Sequence, residues 1–278
     1  MNTRRLNTLT FNFEIYRLLN VLLQSNFTLR PNNDYGAKDY PATNIDWLDR
    51  IFVNPPSLNQ LLTLIRDNFN ETEFYHSCCP KKLSTYFRNG IQLLDVERIE
   101  SEARELIQDQ SHRSNLEQGI QGARRFLQEI HAERNQISLH TDKIKAQSEV
   151  GFSKYGGEYM AYIILHMPDN TAKHEIIRLV RNCGIPTLLT IRLSLDNIAD
   201  AFLEIYIKTL IQKWASIFIF KDCTKTNPPN PADLTYNAAS PIESHYIYRH
   251  EHPQNFRANR NPFYCDRCKK TLVWNNQF

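Results

Sequence analysis

The chain of 278 residues lacks both a long apolar run and a large net charge. Its most apolar stretches, 18–23 and 214–220, fall far short of the roughly 20 residues that a membrane-spanning helix needs, so we expect no membrane partner. Glu14 and Arg17 interrupt the apolar stretch near the N-terminus, which argues against a secretory signal. The formal charge of +3 does not by itself indicate a nucleic-acid partner. These absences favour a cytoplasmic protein with an ordinary core.

Cysteine is sparse, and its spacing does not suggest a disulfide framework. Of the six cysteines, Cys78 and Cys79 are adjacent and Cys265 and Cys268 are separated by two residues. With no export signal expected, we interpret them as reduced thiols. Cys78 and Cys79 are predicted to be core residues, because no Asp–His partner suggests a nucleophile.

The pattern of apolar residues predicts an α+β fold with three parts. Residues 1–70 form a helical N-terminal lobe, 71–255 a central domain, and 256–278 a basic C-terminal tail. Alternating, β-branched or aromatic runs predict strands at 72–76, 136–140, 186–193 and 245–249, and helices fill most of the intervening chain. The apolar run 216–220 is a further candidate strand. The order of elements is not a regular βαβ alternation.

Glycine is scarce, and its placement is informative. Only eight glycines occur, and four of them lie in the stretches "RNGI", "KYGGEY" and "RNCGIP", where helices are predicted to meet strands. Together with "FYHSCC", "ISLH" and "SPIESHYIYRHEHP", these stretches follow an order that resembles the ADP-ribosyltransferase-like superfamily over roughly residues 72–253. The first-strand histidine and "YGGEY" are the most specific parts of that resemblance.

The resemblance implies a split β-sheet core with NAD bound as a substrate in a cleft. His76 would hydrogen-bond a ribose hydroxyl, and Ser77 stands where the family usually has glycine. Tyr155 or Tyr159 would stack on the cationic nicotinamide ring. A glutamate would stabilise the oxocarbenium-like state as nicotinamide leaves. The candidates for this catalytic residue, in order of preference, are Glu243, Glu158 and Glu204.

The implied activity is NAD-dependent transfer of ADP-ribose to a macromolecular acceptor, either protein or nucleic acid. A toxin or defence effector, with an inhibitory partner protein, is the setting that the superfamily suggests. Structural roles remain open for the same residues: His76 as an ordinary histidine at a strand end, and Tyr155 and Tyr159 as core residues on one helix face. A non-catalytic nucleic-acid-binding protein and a toxin–antitoxin-type interaction protein are the alternative functions.

The tail combines a metal-ligand spacing with basic and aromatic residues. Cys265-x-x-Cys268 is the spacing of half a structural zinc site, and His250 and His252 lie a short way upstream. An unmetallated thiol pair is the alternative. Residues 245–278 contain six Lys or Arg residues and two acids, with aromatic residues interleaved, which is a pattern that single-stranded nucleic-acid surfaces use. A solvated basic face beside a sheet is the alternative interpretation.

Overall fold

The computed structural model describes residues 8–9, 13–30, 48–107, 110–129, 136–148, 157–169, 171–218, 234–253 and 262–272. The strands are β1 Thr8–Leu9, β2 Glu71–Cys78, β3 Ile137–His140, β4 Thr187–Ser194, β5 Thr235–Ala238, β6 Ile247–Glu251, β7 Phe263–Cys265 and β8 Lys270–Leu272. The helices are α1 Phe13–Asn26, α2 Leu48–Ile51, α3 Leu58–Asn68, α4 Ser84–Asn89, α5 Val96–Leu106, α6 Gln110–Glu129, α7 Lys143–Ser148, α8 Glu158–Leu165, α9 Thr171–Arg181 and α10 Asp200–Phe218.

The strands form one mixed sheet and one separate hairpin. The sheet has the order β5-β3-β2-β4-β6, with β1 paired in parallel to the start of β2. The β2–β3, β3–β5 and β4–β6 pairs are antiparallel. Within the described part of the chain, strands β7 and β8 pair only with each other. The predicted combination of helices with a β-sheet is confirmed, and so are the predicted strands at 72–76, 136–140 and 186–193. The strand predicted at 245–249 begins only at Ile247, because Ser244–Tyr246 form a 3-10 helical turn.

Local sequence signals explain where several helices begin and end. Ser57 and Gln60 form a reciprocal capping box at the start of α3, and the Asp95 side chain accepts the Arg98 backbone N–H at the start of α5. Helix α4 ends at Gly90, which has a φ of 74° and donates its N–H to the Tyr86 carbonyl. A positive φ is a conformation that glycine adopts without steric cost.

By its contacts the chain divides into two compact units. The first comprises 1–73 and 192–234, and the second comprises 74–191 and 235–278. The predicted lobe 1–70 therefore falls in the same unit as 192–234, a segment assigned from the sequence to the central domain. In this first unit α1 packs against α10, and the Phe52 and Trp214 rings stack with centroids 6.0 Å apart.

One hydrophobic core cluster of the second unit is formed by α5, α6, α8 and α9. Helix α6 buries Leu116, Ile120, Ala123 and Leu127 at the helical spacing that the sequence shows. Helix α8 contributes Tyr159, Ile163 and Ile164 to the same cluster.

No helix among the described residues is long and apolar enough to span a membrane.

Candidate functional site

His76 lies on β2, between β3 and β4 in the sheet. Its Nδ1 is 3.1 Å from the Ser138 carbonyl oxygen, so Nδ1 carries the proton and donates this bond. Burial is the main cause that lowers the pKa of His76 to about 4, and the neighbouring His140 lowers it further against the effect of the Ser138 bond. His76 is therefore a neutral imidazole with a defined ring orientation at pH 7.

Ser77 and the two cysteines that follow it are buried in β2 and just beyond it. The Ser77 hydroxyl donates to the Ala146 carbonyl in α7, which attaches this helix to the strand. Burial raises the pKa of both thiols, with that of Cys79 reaching about 12, so neither is a ready nucleophile. The prediction that Cys78 and Cys79 are core residues is confirmed. The predicted contact of Ser77 with NAD stays a prediction.

The turn after α4 meets the segment that carries Glu243. Ile91 and Ile242 exchange both backbone hydrogen bonds, at 2.8 and 2.9 Å. A Cβ on Gly90 would lie only 2.0 Å from the Ile242 carbonyl oxygen, so this approach requires glycine. Glu243 follows Ile242 directly and is exposed, with its carboxylate 3.3 Å from the His245 ring nitrogen. The "NGI" and "PIES" stretches are thus neighbours in space.

A second glycine brings another pair of motif stretches together. A Cβ on Gly184 would lie 2.1 Å from the Cys79 carbonyl oxygen, and the Ile185 N–H donates to the Pro80 carbonyl at 3.0 Å. Tyr75 of β2 pairs with His140 of β3. The stretches "ISLH" and "RNCGIP" therefore both contact "FYHSCCP", the stretch that bears His76.

The remaining candidates for the nucleotide site lie elsewhere or outside the described residues. Tyr159 is only 1% exposed, and its hydroxyl donates to the Glu100 carboxylate at 2.7 Å. Its ring packs against protein in this structure, and its stacking role stays a prediction. Glu158 is the first residue of α8, and its side chain lies outside the described atoms, as does all of Tyr155. Glu204 is half-buried on α10 in the first unit.

Four side chains with soft or imidazole donors come together at the end of β6 and in the β7–β8 hairpin. Their ligand atoms all lie within 4.8 Å of one another. The cluster consists of His250, His252, Cys265 and Cys268, and we call it the Cys/His cluster. The structure therefore brings together all four of the metal ligands proposed from the sequence. Two nitrogen and two sulfur donors form a set that binds Zn²⁺ in proteins.

Backbone groups orient the ligands of the Cys/His cluster. The Nδ1 of His252 donates to the Pro186 carbonyl at 3.1 Å, and its Nε2 lies 3.8 Å from the Cys268 sulfur. The Cys268 N–H points at the Cys265 sulfur at 3.4 Å, and the Lys269 N–H donates to the Cys265 carbonyl at 2.9 Å. Lys269 has a φ of 56°, which turns the chain tightly behind the second cysteine.

Asp266, between the two cysteines, attaches the hairpin to α4. Its carboxylate accepts the Leu83 N–H at 3.0 Å and the Ser84 N–H at 3.2 Å, and it also accepts the Ser84 hydroxyl. These bonds lower the pKa of Asp266 and satisfy donors at the start of α4 that otherwise have no partner in the helix. The sequence does not predict this role of Asp266, because nothing local in "CDRC" indicates which helix the aspartate caps.

Aromatic contacts complete this junction, and burial keeps the two imidazoles neutral. The Arg267 guanidinium lies 4.4 Å from the centroid of the Phe87 ring, which in turn meets the His250 ring edge to face. Burial lowers the pKa of His250, with help from His252 and Arg267, and burial also lowers the pKa of His252. Neutral imidazole is the form of histidine that binds a metal ion.

Comparison of the chain with protein-family models, with curated proteins and with solved structures finds no match in any of the three. The functional assignment therefore depends on the arrangement of these side chains and on the order of the motif stretches.

Proposed function

We propose that this chain is an NAD-dependent ADP-ribosyltransferase that transfers ADP-ribose to a macromolecular acceptor. One observation supports the proposal above all: stretches that carry the resemblance, and lie far apart in the sequence, make three contacts with one another. "NGI" bonds to "PIES", "RNCGIP" abuts "HSCCP", and "ISLH" pairs with "FYH". We also propose an ADP-ribosyltransferase-like fold, in which β5-β3-β2 corresponds to one half of the family's split sheet and β4-β6 to the other. In this chain the two halves are neighbours in one continuous sheet, with β2 next to β4.

The proposed reaction breaks the glycosidic bond between the nicotinamide ring and its ribose. The bonding electron pair goes to the ring nitrogen, which neutralises the cationic ring, and the ribose C1′ becomes electron-poor. A nucleophilic atom of the acceptor then bonds to C1′ and loses its proton to solvent. A carboxylate that stabilises the positive charge developing at C1′ accelerates this step, because the charge is greatest in the transition state.

The residues of this chain would divide these tasks. His76, neutral and held by Ser138, would hydrogen-bond a ribose hydroxyl. Glu243 is the first candidate for the carboxylate: it is exposed, and the Ile91–Ile242 bridge fixes the backbone immediately before it. Glu158 is the second candidate and Glu204 the third. Either a protein or a nucleic acid would be the acceptor.

The test measures nicotinamide release from NAD by the purified full chain, with and without mixed protein and RNA acceptors. We expect Glu243→Gln to lower the rate about 100-fold or more. We expect His76→Gln, which keeps a side chain of similar volume, to weaken NAD binding about tenfold, because one hydrogen bond to the substrate is lost. Glu97→Gln, in the exposed first turn of α5, is the matched control and should leave the rate unchanged.

Each variant must first retain the thermal unfolding midpoint of the parent within a few degrees. Loss of activity in Glu158→Gln, with Glu243→Gln fully active, would move the catalytic role to α8. A folded parent chain that neither binds NAD nor releases nicotinamide with either acceptor would contradict the proposal.

A second candidate function is binding of single-stranded nucleic acid without catalysis, and one observation favours it. Tyr248 and Tyr264 are more than half exposed on β6 and β7. Exposed cations lie on β6, in the hairpin turn and at the start of β8, and they are Arg249, Arg267, Lys269 and Lys270. Exposed rings among cations are suited to stacking on bases and neutralising phosphates. Salt-sensitive binding of a single-stranded oligonucleotide, lost in the Tyr248→Ala/Tyr264→Ala double variant and indifferent to NAD, would identify this function.

A further inference from the structure

We propose that His250, His252, Cys265 and Cys268 bind one Zn²⁺ ion at a closed, structural site. This inference is independent of the proposed transferase activity, because it rests on the geometry of four side chains that the activity does not use. It assigns a metal, a complete ligand set and a mechanical role to the C-terminal hairpin.

The distances fit tetrahedral zinc. Zinc lies about 2.3 Å from thiolate sulfur and about 2.0 Å from imidazole nitrogen, so tetrahedral ligand atoms are about 3.3–3.8 Å apart. The His252 Nε2 and the Cys268 sulfur are already 3.8 Å apart. Since all four ligand atoms lie within 4.8 Å of one another, closure around the ion needs only about 1 Å of side-chain movement.

The donor types favour zinc over other ions. Thiolate sulfur and imidazole nitrogen bind zinc and other transition metals well, whereas Mg²⁺ and Ca²⁺ prefer oxygen ligands. The four donors therefore disfavour Mg²⁺ and Ca²⁺. The two carboxylates next to the ligands in the sequence are engaged elsewhere. Asp266 accepts bonds from the start of α4, and Glu251 pairs with Lys143 at 2.6 Å. No described carboxylate is therefore part of the set, and four protein ligands leave no open position for a substrate water, which is typical of structural sites.

The surroundings hold the ligands in the orientation that the ion needs. The bond from His252 Nδ1 to the Pro186 carbonyl leaves the Nε2 lone pair available on the side of the Cys268 sulfur. The Cys268 N–H faces the Cys265 sulfur, where it would stabilise a thiolate. When the ion binds, the two thiols lose their protons to solvent, and two negative sulfurs balance the charge of Zn²⁺.

The ion would supply the stability that the hairpin lacks. Strands β7 and β8 have three residues each, and Cys265 is the one described residue of 262–272 that is fully buried. A two-stranded hairpin of this kind is marginally stable in water, whereas metal binding contributes directly to folding. Through Asp266 and Arg267 the hairpin contacts α4, the helix that follows the His76 strand. The metal therefore fastens α4 as well as the hairpin.

The experiment measures metal content and coordination in the full chain. Protein purified without a metal-affinity tag is analysed for zinc, iron and copper by mass spectrometry. The apo-protein is then titrated with Co²⁺ and followed by absorption. The variants are Cys265→Ser and His252→Gln, and the controls are Cys183→Ser and His245→Gln, which change a partly buried cysteine and an exposed histidine outside the cluster.

We expect about one zinc per chain in the parent and in both controls, and at least a tenfold lower content in both ligand variants. Bound Co²⁺ should show the intense visible bands of tetrahedral coordination and a thiolate-to-metal charge-transfer band, which weakens in Cys265→Ser. The cobalt titration of the parent chain tests the site even if a ligand variant does not fold. Failure of the folded parent to bind Zn²⁺ or Co²⁺, full zinc retention by a ligand variant, or stoichiometric iron or copper in place of zinc would overturn the proposal.

Discussion

His252 and His76 share one hydrogen-bonding arrangement in two very different surroundings. In each ring Nδ1 faces a backbone carbonyl, that of Pro186 for His252 and that of Ser138 for His76. Three more side chains with metal-binding donor atoms surround His252, whereas His76 lies inside a sheet next to His140. The protein supplies every ligand of a structural metal site, so the positions of the side chains are enough to suggest one. A substrate site also includes the substrate, so the side chains alone indicate its position and chemistry less clearly.

We expect metal removal to have the largest effect on stability. It should destabilise the region around the Cys/His cluster and leave the strands next to His76 unchanged. Chelation of the zinc should lower the free energy of unfolding by about 3 kcal/mol or more, because the hairpin and α4 lose their attachment. Hydrogen exchange should accelerate in 82–91 and 247–253 and stay unchanged in β3 and β5. Calorimetry and exchange followed by mass spectrometry measure both. Equal acceleration across the whole second unit would show that the ion supports the fold generally.

Acidification should affect the His76 region next most strongly. The unfolded chain binds a proton at His76 below its ordinary pKa of about 6.5, and the folded chain binds it only near pH 4. Stability that is complete above pH 6.5 should therefore fall as pH is lowered towards 4, by roughly 3 kcal/mol. Denaturant unfolding of zinc-loaded parent and His76→Gln, at matched pH values, isolates this contribution because all other groups cancel. Parallel pH profiles for the two proteins would show that folding does not lower the pKa of His76.

Tyr159→Phe tests whether the aromatic residue of "YGGEY" is a structural element. The change removes the hydroxyl that donates to Glu100, a buried carboxylate that also binds Arg124 at 2.6 Å. We expect a loss of about 2 kcal/mol in the free energy of unfolding, because the acceptor is charged. Tyr264→Phe, at an exposed position, should have no effect. No loss of stability in Tyr159→Phe would mean that the hydroxyl is not held by Glu100.

Asp266→Asn should have the smallest effect and separates anchoring of α4 from metal binding. The zinc content should remain at about one ion per chain, because Asp266 is not a ligand. The free energy of unfolding should fall by about 1 kcal/mol, because a charged helix cap becomes neutral. Asp169→Asn, on an exposed turn, is the control for removal of one negative charge. Loss of zinc from Asp266→Asn would show that the cap and the metal form one unit.

The parts of the fold that could be predicted are those that local chemistry determines. The runs "TEFYH", "ISLH" and "PTLLTIRL" are strands because β-branched and aromatic residues fit a pleated, half-buried surface. Gly90 ends α4 because the chain there needs a positive φ. The prediction of a strand at 216–220 was wrong for 216–218, which continue α10, because a short apolar run suits a buried helix as well as a strand.

Most of what could not be predicted depends on contacts between residues that are far apart in the sequence. Residue types and the Cys-x-x-Cys spacing suggested the four metal ligands, but only the fold shows that the hairpin returns to the end of β6. The Asp266 cap was missed because its partner Ser84 is 182 residues away. The burial of Tyr159 was one of two interpretations, since a ring on a helix face is equally compatible with a core and with a ligand site.

The bond between Asp266 and Ser84 also has a kinetic consequence. The two residues are 182 positions apart, and contacts of high sequence separation carry the cost of loop closure, so we expect this bond to form late in folding, after local helices and hairpins. Interactions absent from the transition state stabilise the native chain by slowing its unfolding and leave the folding rate nearly unchanged. The Cys/His cluster and Asp266 would thus lower the unfolding rate of the chain.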